Sequence, residues 1–420
     1  MVGLARTVPG RRCRLPEANV CVVWLTPTVS GTPAAATMTG ETRYRALFLG
    51  AGPQMHCGVG QFTRLLQETI EKLQPGTSAT LTLTRKEGTF AEIWRAVGSA
   101  QSVVCNFPIV AWKRVMFAPL AAMAIARLRR RKVVLIQHEW RGLHWLRRIT
   151  YMPALVVADV IVMFSPLVRQ ELAGDPLLGW TAKKSVLAPL PPNIEAPAGI
   201  EDSKLRHRLI AAKGDGRLLI GHFGSIYPGK QPNALLEIGA ILKQRGLKPL
   251  IVYVGSFIRG IDKVEEEFHA RARKLDVAED VIVSGFVASD HEVFGLFSEI
   301  DAFCYPLDEG LTARRSSILT CVQSGRPLIV AGSVLPEEFD HHPRFKELIS
   351  RGAIVLVARG SDNEAFADRI AAVVKRPPIP FPFDFDGWWK DVADAVQAQL
   401  PMLAPETARD SADRTPPAET

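Results

Sequence analysis

What this sequence lacks narrows it first. Its six cysteines (Cys13, Cys21, Cys57, Cys105, Cys304, Cys321) are scattered along 420 residues. They form no CxxC pair and stand near no histidines at zinc-finger spacing. That argues against a disulfide scaffold or a structural zinc site and for a reducing compartment. The adjacent histidines His341 and His342, in FDHHPRF, have no partner cluster and read as plain loop, so no metal is expected. No run reaches the roughly 18–20 uninterrupted apolar residues of a membrane span. The nearest, YMPALVVADVIVMFSPLV (151–168), is interrupted by Asp159 and two prolines and reads as a helix end followed by a buried strand. A complete dinucleotide fingerprint is missing too. In FLGAGPQMHCGVGQF (48–62), Met55 holds the third glycine position of G-x-G-x-x-G, and no acidic residue ends the second strand. A nicotinamide-type oxidoreductase is therefore disfavoured, and no cofactor is expected. The net charge of +8 suits a phosphate-bearing partner or an anionic membrane surface, without implying nucleic acid.

What is present is globular: 47% hydrophobic residues with 22% charged. The chain is too long for one core and suits two domains. From residue 45, strand-like runs (RALFLGA, ATLTLT, SVVCNF, KVVLIQ, VIVMFS) alternate with amphipathic stretches. A second set follows after residue 216: RLLIGHFG, KPLIVYVGSF, VIVSGFV, DAFCYP, RPLIVAG and AIVLV. Continuous apolar strands separated by helices imply parallel sheets covered on both faces. Proline-rich LAPLPPNIEAPAGIED (187–202) reads as the linker. The expected fold class is therefore α/β, with two doubly wound Rossmann-like domains, 44–198 and 199–384, facing across a cleft at the carboxyl ends of their strands. Residues 401–420 are polar, proline-rich and expected to be disordered. Residues 1–43 superficially resemble a secretory signal, but Pro27 breaks the apolar run and the charged lead is long. They are read as a disordered or artefactual extension, and a second methionine, Met38, sits just before the first convincing strand.

Two stretches carry chemistry. In LLIGHFGSIYPGKQPNALLEIGAIL (218–242) a buried strand ends in a loop with Gly224, Gly229 and one cation, Lys230, ahead of a helix with Leu235, Ile238 and Leu242 on one stripe. A cation beside a helix N-terminus suits an anion. The second is DVIVSGFVASDHEVFGLFSEIDAFCYPLDEGLTARRSSILTCVQSGRPLIVAGS (280–333). There a strand exits into a loop with Glu309 and Gly310, and Arg314, Arg315, Ser316 and Ser317 open the next helix, forming a second anion site.

The stretch GFVASDHEVFGLFSEIDAFCYPLDEGL…CVQSGRPLIVAG resembles the donor-binding half of the retaining glycosyltransferases of family four, which have the GT-B fold. The glycines after the first strand, LIQHEW, ADVIVMFSPLVRQEL and the tryptophan-containing FDGWWKDVADAV (a closing helix, 385–400) extend the resemblance over most of 45–400. It implies a nucleotide-sugar donor, a glycan or lipid-linked acceptor such as a surface-polysaccharide precursor, a metal-independent transfer and a cytoplasmic location. Lys230 would bind the donor diphosphate, and Gly224 and Ser225 would form the first donor loop. Glu309, Gly310, Leu311 and Thr312 would contact the donor sugar, partly through N–H groups. Ser316 and Ser317 would meet phosphate, Phe286 and Val287 would border the base, and His138 would lie near the anomeric carbon. Gly58 and Gly60 would approach from the other domain. Two departures stand out: Ser225 replaces a usual arginine, and Ser317 stands eight residues after Glu309 where a second glutamate is usual. Counted back from Gly325, that glutamate falls at Thr320. Arg314 or Arg315 is expected to supply the missing cation, and a catalytically degenerate partner subunit is the alternative.

Residues 112–148 hold ten Lys/Arg and one acid, Glu139, interleaved with Trp112, Phe117, Trp140 and Trp145. The stretch suits amphipathic helices lying on an anionic bilayer, which would place the protein on the inner face of the plasma membrane. The alternative is that the apolar faces pack on the first sheet while the arginines face water.

Overall fold

The computed structural model describes residues 43–52, 58–84, 87–109, 112, 116–258, 263–375 and 382–402. The leader and nearly all of the tail, together with Met55 and Cys57, lie outside the described residues.

Every strand run read from the sequence forms a strand, and the inner strands of each sheet are apolar on both faces. The first sheet holds β1 (Tyr44–Gly50), β2 (Ser78–Thr82), β3 (Ala100–Phe107), β4 (Lys132–Gln137), β5 (Val160–Met163) and β6 (Ser185–Leu187). They pair in the order β2-β1-β3-β4-β5-β6, all parallel. The second holds β7 (Leu218–Phe223), β8 (Pro249–Val254), β9 (Val281–Val283), β10 (Ala302–Tyr305), β11 (Leu328–Ala331) and β12 (Ile354–Val357), in the order β12-β11-β10-β7-β8-β9, again all parallel.

The period-two logic of a strand is visible in β1. Leu47 and Leu49 enter one core, and Ala46 and Phe48 the core on the opposite face. In β8, Leu250, Val252 and Val254 part from Ile251 and Tyr253 in the same way.

Five helices accompany the first sheet: α1 (Gly58–Leu73), α2 (Phe90–Gly98), α3 (Phe117–Leu128), α4 (Trp145–Val157) and α5 (Pro166–Ala173). With the second run α6 (Lys204–Gly214), α7 (Pro232–Gln244), α8 (Val264–Lys274), α9 (Asp290–Glu299), α10 (Ser316–Val322), α11 (Pro343–Ser350) and α12 (Asn363–Val373). The expected α7 stripe is in place: Leu235, Ile238 and Leu242 are all buried.

Two features joining the domains differ from the sequence reading. The 187–202 segment is not a loose linker throughout. Ala188, Leu190, Pro191 and Pro192 are buried, and β6 ends inside the stretch. Its prolines fill apolar space instead of merely breaking pattern. The final helix, α13 (Phe385–Gln397), does more than close the chain. Trp388 enters the core of the second domain and its neighbour Trp389 that of the first. Trp388 stacks on Phe383 at 5.0 Å, and Trp389 lies 5.3 Å from the Phe62 ring and donates Nε1–H to Pro192 O at 3.0 Å. One helix thus staples both units.

His341 and His342 stand in a loop, as read from the sequence, ahead of α11, and their side chains are engaged there. Their Nε2 atoms hydrogen-bond Phe164 O and Leu190 O, each at 3.0 Å, so both side chains pin the second domain to the first. Burial pushes His342 down to about 4 and keeps it neutral. Among the described residues, no group of three His, Cys, Asp or Glu side chains could hold a metal ion.

Candidate functional site

In each sheet the strand order reverses between two neighbours, β7 and β10 in the second, and the groove at their carboxyl ends is where such folds bind ligands. Both chemistry-bearing loops open there. The loop after β7 carries Gly224, Ser225 and Lys230, and the loop after β10 carries Glu309 to Arg315.

Lys230 ends a single 3-10 turn, Pro228–Lys230, and Gln231 follows in the left-handed region with φ 51°. That turn swings the side chain back under the strand end, where the residue is 8% exposed. Its Nζ donates to Phe223 O at 3.4 Å. Phe223 is itself held by Tyr305, whose hydroxyl donates to Phe223 O at 3.0 Å and accepts its N–H at 2.9 Å. Gly224 is required here: it has φ 109°, and a Cβ would come within 2.7 Å of Lys230 Nζ. Ser317 Cβ lies 3.8 Å from the same point, so lysine and helix start share one corner. Burial first, and the Arg315 charge second, push the Lys230 ammonium down to about 8.

Around it stands an ion cluster that crosses between domains. Arg314 Nη2 donates to both Glu309 carboxylate oxygens, at 3.0 and 3.1 Å, and Nη1 to Glu139 of the first domain at 3.0 Å. Arg315 pairs with Glu309 as well. Lys230, Arg314 and Arg315 against Glu309 and Glu139 leave one net positive charge. His138, at the exit of β4, is half-buried between Phe62 and Phe164, with Nε2 3.3 Å from Asn106 Oδ1. Burial, reinforced by the Arg314 charge, pushes its imidazole down to about 3, so it serves as a neutral hydrogen-bonding group and not a cation.

Two helix N-termini converge beside this cluster. Gly58 and Gly60 open α1, and Ser316 and Ser317 open α10. Asn193 ties them together. Its N–H donates to Ser316 Oγ at 3.1 Å and its Nδ2 to Gly58 O at 3.1 Å, while its own carbonyl accepts from Gln61 Nε2 at 3.0 Å. Among the described residues no acceptor meets the N–H groups of Ser316 and Ser317, and no side chain caps α10. These are orphan donors aimed where an anion would be stabilised.

The structure therefore brings together Lys230, Gly224, Glu309, Arg314, Arg315, Ser316, Ser317, Gly58, Gly60 and His138. It treats the other expected residues differently. The N–H of Gly310 donates to Leu307 O at 3.0 Å and that of Leu311 to Ala331 O at 2.8 Å, so neither amide is left for a sugar. Leu311 and Thr312 are wholly buried and shape the loop from beneath. Ser225 faces solvent. Phe286 and Val287 lie beyond edge strand β9, with β8 between them and β7, and Phe286 is largely exposed. Thr320, at the position counted for a second glutamate, turns its hydroxyl to Ser316 O at 3.2 Å inside α10.

Sequence reasoning missed the residue that sets this loop. Glu338 is fully buried, and its Oε1 accepts from Ser165 Oγ at 2.6 Å and Ala313 N–H at 2.9 Å. Oε2 accepts from Leu167 N–H at 3.1 Å. One carboxylate thus fastens the residue before Arg314 to the start of α5 in the first domain, and burial raises its pKa despite these bonds. An acid in SVLPEEFD carries no local sign of that role. Asn193, in a proline-rich stretch, was equally silent.

No family model matches the sequence, and no curated protein sequence matches it. Solved structures do share its fold. The Anabaena protein Alr3699/HepE in complex with UDP and glucose superposes with a TM-score of 0.52 over 85% of this chain and 95% of its own, at 14% identity. The same protein with UDP gives 0.51 over 84% and 94% at 13% identity, and with UDP-glucose 0.50 over 84% and 94% at 15%. At such identities the likeness is one of fold: the two-sheet architecture is GT-B, as the sequence implied.

Proposed function

We propose that this protein is a retaining glycosyltransferase that moves a sugar from a nucleotide-sugar donor, with UDP as the nucleotide to test first, to a glycan or lipid-linked acceptor of the kind used to build surface polysaccharide. The carrying observation is the corner where buried Lys230, Arg315 and the unpaired N–H groups of α10 meet the start of α1 across Asn193. A nucleoside diphosphate fits that chemistry. The choice of UDP draws on the fold-sharing protein solved with UDP and UDP-glucose.

In this reading the donor diphosphate displaces Glu309 as the anion facing Arg315, which frees the Glu309 carboxylate for the sugar hydroxyls. As the bond from the anomeric carbon to phosphate breaks, charge grows on the leaving diphosphate. Lys230, Arg315 and the fixed N–H dipoles stabilise it without reorganising, worth a few kcal/mol of barrier at the usual scale of such donors. The new bond forms to an acceptor hydroxyl, whose proton leaves with the diphosphate. Positive side chains fill the charge-neutralising role, so the transfer is expected to proceed without a metal. Neutral His138 would offer a hydrogen bond to the sugar near the reacting carbon.

Calorimetry with a panel of nucleotide sugars and NAD tests this. Heat from UDP-sugars and none from NAD is expected. NAD binding alone would overturn the proposal in favour of a dehydrogenase. Silence towards every ligand would favour a degenerate partner subunit, a reading the buried Thr320 and solvent-facing Ser225 keep in view.

A further inference from the structure

Asn106 puts an amide where the fold has no packing use for one. It is the last residue but one of β3, and by the alternation of that strand it shares a face with Val104. The strands that build this face otherwise supply Ala46, Phe48, Val104, Val134, Ile136 and Val162. The opposite face of the sheet takes Phe107, Trp112 and Trp140 into an equally apolar core. Asn106 is wholly buried, and its Nδ2 meets no acceptor among the described residues. An unpaired amide in such surroundings costs stability, so the value of this side chain lies at its other end.

That end meets His138. Asn106 Oδ1 lies 3.3 Å from Nε2 of the ring. An amide oxygen only accepts, so Nε2 carries the proton of the bond. The imidazole is held neutral by burial and the Arg314 charge, and has no second proton. Nδ1 is therefore a lone pair, and it makes no hydrogen bond among the described residues.

The other neighbours of the ring do not make this choice. Phe62 and Phe164 pack on it with centroids at 5.2 and 4.9 Å, but apolar walls accept the ring equally well after a half-turn about its Cβ–Cγ bond. The His138 N–H donates to Phe107 O at 3.0 Å, which fixes the backbone and not the ring. Asn106 does discriminate, because a half-turn would set a carbon where Nε2 stood. At the end of β4, Gln137 repeats the device on the loop itself. It too is wholly buried with Oε1 unpaired, and its Nε2 donates to Glu139 O. Two carboxamides inside the sheet thus hold residues 138 and 139, one by the ring and one by the backbone.

We infer that Asn106 is a positioning residue that locks the His138 imidazole in its Nε2–H form and leaves Nδ1 as an acceptor. The pairing stands by itself, and its use rests on the transferase reading. There, His138 accepts from a hydroxyl of the donor sugar and has no proton to give to the leaving oxygen. A donor sugar whose hydroxyl at that place is missing or substituted would bind less well.

Nitrogen NMR of the full chain, labelled in its nine histidines, reads the pair directly. The His138 signals are identified by their loss in His138→Gln. In the parent, Nε2 should show a bonded proton that exchanges slowly with water, and Nδ1 should show none. Asn106→Leu, close to the same size, should lose that protection. Asn106→Asp keeps an acceptor and should retain the proton, and its imidazole should titrate at higher pH than the parent's because a carboxylate faces it. Calorimetry gives the second readout. Asn106→Leu should weaken the UDP-sugar selected by the ligand panel about tenfold, the scale of one hydrogen bond, and UDP by less than about twofold. A proton on Nδ1 in the parent, a parent-like imidazole in Asn106→Leu, or an Asn106→Asp ring that titrates as the parent does would overturn the inference. Equal weakening of UDP and UDP-sugar would do so too, because it would make Asn106 a support of the whole site. Silence of the parent towards every nucleotide sugar would instead overturn the transferase reading, and the imidazole spectra would still decide the Asn106–His138 pair.

Discussion

Lys230 offers the sharpest test of the site, because its burial ties affinity to pH with a definite sign. Its ammonium is pushed from 10.5 to about 8, which at 1.36 kcal/mol per unit corresponds to roughly 3 kcal/mol of unfavourable burial in the charged form. A bound diphosphate compensates that charge, so binding and protonation are linked. Affinity for UDP should be level from pH 6.5 to 7.5, then fall about tenfold per unit as pH rises through 8, until the higher pKa of the complex is reached. Lys230→Arg keeps a charge that does not titrate and should flatten this limb. Lys230→Met should lose about 30- to 1,000-fold at pH 7, the ~2–4 kcal/mol that removing one partner of a buried charge pair costs. Stability runs the other way. Between about 8 and 10.5 the unfolded chain holds the proton that the folded chain has released, so folding gains with pH in the parent and not in Lys230→Met. Isothermal calorimetry over the pH range, with urea unfolding of the same proteins, measures both. A flat profile for the parent, or the same bend in Lys230→Arg, would refute the placement of Lys230 against the diphosphate.

Other substitutions separate neighbouring roles. Arg315→Ala should weaken UDP binding about 10- to 100-fold and raise the Lys230 pKa, whereas Arg314→Ala, which reaches across to Glu139, should cost less in UDP affinity. Unchanged affinity in both would remove the arginines from the donor site. Glu338→Gln puts an amide N–H₂ against one of the three donors that now meet the carboxylate, and should cost ~1–3 kcal/mol in urea unfolding. Parent-like stability would mean that the strut is not formed. Gly310→Ala must hold φ near 67° with its Cβ 2.0 Å from Gly332 O, so the Glu309 loop has to move. A loss of ~1–3 kcal/mol and faster proteolysis in 307–313 are expected, and a neutral outcome would contradict the loop conformation.

The strands and the paired sheets were legible because they rest on local causes. Apolar runs flanked by Gly, Pro and polar residues set β1, β4 and β7 within a residue or two, and the Leu235, Ile238, Leu242 spacing set α7. Lys230 and the Arg314–Ser317 stretch could be singled out from the sequence, as a lone cation at a strand exit and hydroxyls at a helix start, and the structure places them at one corner. The sequence could not show that Gly310 and Leu311 amides are spent inside their own loop, because that depends on where β11 brings Ala331. Nor could it show which tryptophans of 112–148 are core. The joints between domains were hidden altogether. Ser165 meets Glu338 across 173 residues, Glu139 meets Arg314 across 175, and Asn193 meets Ser316 across 123. Backbone preference and burial period are written by near neighbours. A hydrogen bond between residues so far apart exists only after both sheets have formed and docked, and no local pattern in the chain reports it.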